Sequence, residues 1–112
     1  MWLVTDRGFY SVVDKGEPGG MLCVRSRVRE DLESLCRLDS MESYSDSIRE
    51  SDYSDYRFRI FVARGDWEKA ASVLASEIDY DNFKNAVADR QGSARASIYS
   101  SVWSALRRLQ SD

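Results

Sequence analysis

Tyr56, Phe58, Ile60 and Val62 alternate with Arg57, Arg59 and Phe61, a period of two that predicts a strand with one face toward a core and two arginines on the other. After Arg64-Gly65-Asp66 the period becomes helical. Trp67, Ala70, Ala71, Leu74 and Ile78 form one stripe, so a helix is expected here, capped by Gly65 or Asp66. The rest of the chain is organised around this unit. Upstream, residues 2–5 and 9–13 predict an antiparallel hairpin turning at Asp6-Arg7-Gly8, with Gly8 at a position of positive φ. Residues 14–20 hold three glycines and the single proline and read as a loop. A third strand over 21–27 turns Leu22 and Val24 inward, and Val28, Leu32, Leu35 and Cys36 mark a first helix ending near Leu38. Downstream, Asp81 caps a short helix with Phe83, Ala86 and Val87 inward, ended by Gln91-Gly92. Ser93 opens the last helix. Its stripe of Ala94, Ile98, Val102, Ala105 and Leu109 is widened by Tyr99, Trp103 and Leu106 beyond one packing face. Phe58, Ile60, Trp67, Leu74, Ile78 and Val102 are expected to share one core.

These elements predict an α+β fold of order β-β-β-α-β-α-α-α, an antiparallel sheet of about four strands with helices on one face, loosely ferredoxin-like. At 112 residues a single domain is expected. Residues 39–55 interrupt it: serines alternate with acids, and six carboxylates face only Arg49. So polar a stretch buries too little apolar surface to offset its ordering entropy, which predicts a mobile acidic insertion. Met41, Tyr44 and Ile48 at helical spacing leave a short exposed helix open.

A net charge of −3 argues against a surface that attracts nucleic acid or anionic lipid as a whole. No apolar run is long enough for a membrane span, and the first residues lack the basic and apolar regions of a signal peptide, so a cytoplasmic protein is expected. Two cysteines, Cys23 and Cys36, fit no zinc or redox spacing. Cys36 belongs to the first helix's apolar stripe, whereas Cys23 shares strand parity with Arg25 and Arg27 and is expected to be an incidental thiol. The absence of histidine removes imidazole bases, Ser-His-Asp and Cys-His systems and most transition-metal sites. No phosphate loop, dinucleotide fingerprint or calcium loop occurs. No enzyme activity, cofactor or metal is expected.

The stretches W-L-V-T-D-R-G-F-Y-S-V-V, V-R-S-R-V-R-E-D-L, D-Y-R-F-R-I, I-D-Y-D-N-F-K and V-W-S-A-L give the chain a resemblance, nearly end to end, to a widespread group of short uncharacterised bacterial proteins. That resemblance implies no activity, cofactor or partner. The acidic serine-rich segment is where the chain departs from the group.

If the third and fourth predicted strands are neighbours, Arg25, Arg27, Arg57 and Arg59 share the outer sheet face near Cys23 and Phe61. Arg25, Arg27, Arg57, Arg59 and Phe61, with Tyr99 and Trp103 on the last helix, are the candidate binding positions. The first functional expectation is a non-enzymatic module, regulatory or inhibitory, that binds a protein partner or a second copy of itself, since exposed aromatics and arginines anchor interfaces. An anti-defence inhibitor of phage or prophage type, anti-CRISPR-like and acting on a nucleoprotein complex, is the second. Nucleic-acid binding through an arginine-lined sheet is the third.

Overall fold

The computed structural model describes residues 1–110, and its backbone divides into two compact units, one over 1–78 and one from 79 onward. The first unit is a five-stranded antiparallel sheet covered on one face by helices. Its strands are β1 (Trp2–Val4), β2 (Phe9–Val13), β3 (Leu22–Ser26), β4 (Arg49–Glu50) and β5 (Phe58–Val62), in the order β1-β2-β3-β5-β4. The helices are α1 (Arg29–Leu35), a 3-10 helix over Asp39–Ser47, and α2 (Arg64–Ser76). The class is α+β, as the periodicities predict, with five strands rather than four because the acidic segment supplies β4. The strand order is a meander extended by β5 and β4, so the ferredoxin likeness goes no further than helices laid on an antiparallel sheet.

The core follows from strand parity. Val12 pairs with Val24 and Val24 with Ile60, so one face of three adjacent strands is apolar. Tyr10, Leu22, Phe58 and Val62 join them, and Leu32, Leu35, Met41, Trp67 and Ala70 close over the face from the helices. Ala70 is fully buried, which lets α2 approach closely. Ile78 is not part of this core: α2 ends at Ser76, two residues short of it, and its side chain is 61% exposed. Leu74 lies at the margin.

Gly8 is needed for space and not for conformation. Its φ is not positive, but a Cβ there would stand 2.8 Å from both the Asp31 carboxyl carbon and the Tyr10 hydroxyl. That closeness lets the Phe9 amide donate to Asp31 Oδ2 (3.0 Å) and the Tyr10 hydroxyl donate to the Asp31 carbonyl (2.8 Å), binding β2 to α1. The Thr5 hydroxyl closes the turn by donating to the Gly8 carbonyl (2.7 Å). From this turn Arg7 forks onto Glu77, with nitrogen to oxygen distances of 2.6 and 3.3 Å, and donates to the Ser34 carbonyl (2.9 Å). One half-buried guanidinium thus ties the hairpin tip to the C-terminal ends of α1 and α2.

The acidic segment, expected as a mobile insertion, is placed as a 3-10 helix followed by β4. Leu38, Met41 and Tyr44 recur every three residues, the period of a 3-10 helix, so they fall on one face. Met41 is fully buried, and Tyr44 and Ile48 pack beside it. Tyr44 also caps α2. The first residue before that helix is Ala63, which has no side-chain acceptor; neither Gly65 nor Asp66 caps it. The Tyr44 hydroxyl accepts from the Ala63 amide (3.1 Å) and donates to Asp66 Oδ2 (2.5 Å), while the Ser40 hydroxyl donates to the Asp66 carbonyl (3.0 Å). Burial and the bond to Asp66 raise the Tyr44 phenol above its ordinary range.

The second unit pairs α3 (Phe83–Gln91) with α4 (Ser93–Arg107), ending in a 3-10 turn over Arg108–Gln110. Asn82, rather than Asp81, caps α3 by accepting from the Asn85 amide (2.9 Å). Gly92, at φ +95°, joins the helices in a conformation that L side chains rarely adopt. Val102, expected in the main core, belongs to this unit and is exposed there.

Met41→Ala is expected to cost about 2 to 5 kcal/mol in urea titration, as buried large-to-small changes do. Tyr44→Phe, which keeps the ring and removes the cap, is expected to cost about 1 kcal/mol. Wild-type stability in both variants would show that the acidic segment packs against nothing.

Candidate functional site

The sheet face turned away from the core is built by the other strand parity. Trp2 pairs with Ser11, Ser11 with Arg25, Arg25 with Arg59, and Arg59 with Arg49, giving one row across all five strands. Three adjacent positions of that row are arginines. Directly opposed cross-strand residues have Cβ atoms about 5 Å apart, and like charges at such positions are unfavourable. Among the described residues, Arg7, Arg29, Arg57 and Arg64 form ion pairs, and Arg25, Arg27, Arg49 and Arg59 form none.

The row is held in place by neutral groups. Arg25 Nη2 donates to the Ser11 hydroxyl (2.7 Å), and Arg59 Nη2 donates to the Tyr56 carbonyl (3.2 Å). Arg25 and Arg27 lie over the Tyr56 ring, 4.5 and 4.1 Å from its centroid, contacts with the electron-rich face that favour a cation. Arg27 also donates to the Asp55 carbonyl. The Nε atoms of Arg25 and Arg59 are buried with no hydrogen-bond partner, an uncompensated loss of hydration.

The sequence-predicted positions divide accordingly. Arg25, Arg27 and Arg59 gather around Tyr56, with Phe61 beside Cys23 two register positions along. Arg57 does not join them: it pairs with Glu50 (2.8 Å) and Asp52 (3.5 Å) at the sheet edge. Two members were missed. Arg49 sits in the acidic segment, where no alternation marks a strand, and its guanidinium reaches over Phe61 at 5.4 Å. Tyr56 reads as core-facing by parity, but β5 begins only at Phe58, and the Tyr56 ring packs instead with Phe9 at 6.3 Å.

Cys23 lies opposite Phe61 and, contrary to the expectation of an incidental thiol, is fully buried. Both cysteines are free. Burial raises the Cys23 thiol despite the opposing fields of Arg59, Lys15 and Arg25, and pushes Cys36 up to about 11.

In the second unit, Tyr99 is not available as an anchor. Its ring is buried, stacked on Phe83 at 5.9 Å with 6° between planes, and its hydroxyl accepts from Arg95 (3.3 Å). Trp103 is 60% exposed, with Arg107 5.8 Å from its ring. Ile98, Val102, Leu106 and Leu109 are exposed beside it, so the broad stripe of this helix faces outward along much of its length.

In the first unit, a groove of about 510 Å³ between the 3-10 helix and α2 is lined by Arg37, Asp39, Ser40, Asp66 and Lys69. Its charges oppose one another, and Ser40 and Asp66 are already engaged in holding α2. Among the described residues, no helix is long and apolar enough to cross a membrane. No family model, curated protein or solved structure matches the chain.

Both thiols are expected to resist a disulfide reagent at pH 8 in the folded protein and to react at once in denaturant; fast labelling of the folded chain would refute the burial. Cys36 keeps its proton up to about 11 when folded, against an ordinary 9.0, so between those values the unfolded chain binds fewer protons. Its contribution to stability is therefore complete below pH 9.0 and lost as pH rises toward 11.

Proposed function

We propose that this chain is a small non-enzymatic protein that acts in the cytoplasm by binding a protein partner, in a regulatory or inhibitory role, through the outward face of α4. The observation that carries this is the exposure of Ile98, Val102 and Leu106, which fall within about 80° of the helix circumference. Leu109 continues them in the turn that follows, and Trp103 stands beside them. Contiguous exposed apolar side chains mark interaction surfaces, and tryptophan is enriched among the residues that dominate binding energy. The charge on the helix narrows the partner. Residues 93–110 carry three arginines and no acid, so a complementary surface is an apolar ridge with an acidic rim. Two free thiols in place of a disulfide support a reducing compartment. The lack of histidine, and the use of Asp31, Asp66 and Glu77 in holding the fold, support a role without catalysis.

The test is a partner captured by a photoreactive group at position 103, then rebuilt from purified components. Trp103→Ala is expected to weaken the reconstituted complex about 10- to 30-fold, the loss of a hot-spot residue. Its urea midpoint is expected to stay at wild-type value, because the side chain is exposed. Equal affinity of wild type, Trp103→Ala and Leu106→Glu for the rebuilt partner would overturn the assignment.

A further inference from the structure

We propose that the row Arg25, Arg59 and Arg49 binds a single phosphate group, as inorganic phosphate or a small phosphate monoester. This stands apart from the α4 assignment, since it uses other residues and another ligand.

The placement of charge is the first reason. Three arginines occupy directly opposed positions on β3, β5 and β4, an unfavourable juxtaposition of like charges. The chain has acids in excess, yet none pairs with these three among the described residues, although Arg57, just before β5, takes two. An anion supplied from outside is the group that relieves such a row, and arginine forks match the oxygens of a phosphate.

Preorganisation is the second. Arg25 is fixed by the Ser11 hydroxyl and the Tyr56 ring, and Arg59 by the Tyr56 carbonyl, so little side-chain freedom remains to be lost on binding. Neither is fully solvated: each is half-buried, and each has a buried Nε without a partner. A guanidinium already stripped of part of its water attracts an anion more strongly than one in bulk solvent.

The boundaries of the row set the size of the ligand. Two strand spacings separate Arg25 from Arg49, a span of about 10 Å. At one end the row passes to Ser11 and then the apolar Trp2; at the other, Glu50 follows Arg49 and Asp52 lies close by on Arg57. The row ends at Arg49 because β4 is the edge strand, so three cations between an apolar residue and the sheet edge suit one phosphate group rather than a continuing strand of them.

The experiment is a thermal-shift and calorimetric titration with inorganic phosphate and adenosine 5′-monophosphate, against sodium acetate at matched ionic strength near 150 mM, where screening of distant surface charges is about complete. Wild type is expected to show a saturable rise in midpoint with phosphate and none with acetate. Arg49→Gln, an exposed position that leaves the fold intact, is expected to weaken phosphate at least about tenfold. Arg59→Gln is expected to abolish the response, and Arg57→Gln to leave it unchanged. An equal response to acetate, or an Arg49→Gln titration that overlays wild type, would overturn the proposal. So would a short single-stranded oligonucleotide that binds far more tightly than the monophosphate with a steep salt dependence, which would make the face a nucleic-acid surface.

Discussion

The register between β3 and β5 is the constraint on which both faces of the sheet depend. Val24 opposite Ile60 places two fully buried side chains at the centre of the core, and the next pair along, Arg25 opposite Arg59, places two cations side by side on the other face. The two facts are one fact, because side-chain direction in a strand alternates with a period of two. A slip of one residue would bury the arginines and expose Val24 and Ile60, so the core enforces a charge juxtaposition that local electrostatics alone would avoid. The outer face inherits its character from the stability of the inner one.

Carboxylates are distributed in a way that sharpens this. Asp31 holds β2 to α1, Asp66 receives the Tyr44 hydroxyl at the start of α2, and Glu77 is locked to Arg7. Glu50 and Asp52 are drawn to Arg57 at the sheet edge. A chain with net charge −3 therefore still presents a positive row, since these five acids are committed elsewhere and net charge says little about any one face. The acidic segment matters most here. Through Met41 it fills the core, through Tyr44 it supplies the cap that Ala63 lacks, and through Arg49 it completes the row.

Local periodicity by itself determined most of the elements: the hairpin, the third strand, the strand, turn and helix around residues 56–76, and the two closing helices all follow from alternation or a helical stripe. It also placed Arg25, Arg27 and Arg59 on one face with Phe61. What it left open was decided by contacts distant in sequence. A polar stretch became an ordered element because three apolar side chains in seventeen residues met a core waiting for them, which composition averages away. Helix ends were set by partners such as Tyr44, nineteen residues from the amide it caps, and not by the nearest small or acidic residue. Gly8 mattered for the room Asp31 needs. The stripes of α2 and α4 showed only that one side of each helix is apolar; whether anything covers it depends on neighbours, so Trp67 is buried while Ile98 and Leu106 face outward. The arginine row belongs to the same class of outcome, because only the pairing of β3, β5 and β4 brings residues 25, 59 and 49 together, and strand order is a property of the packed sheet and not of any strand within it.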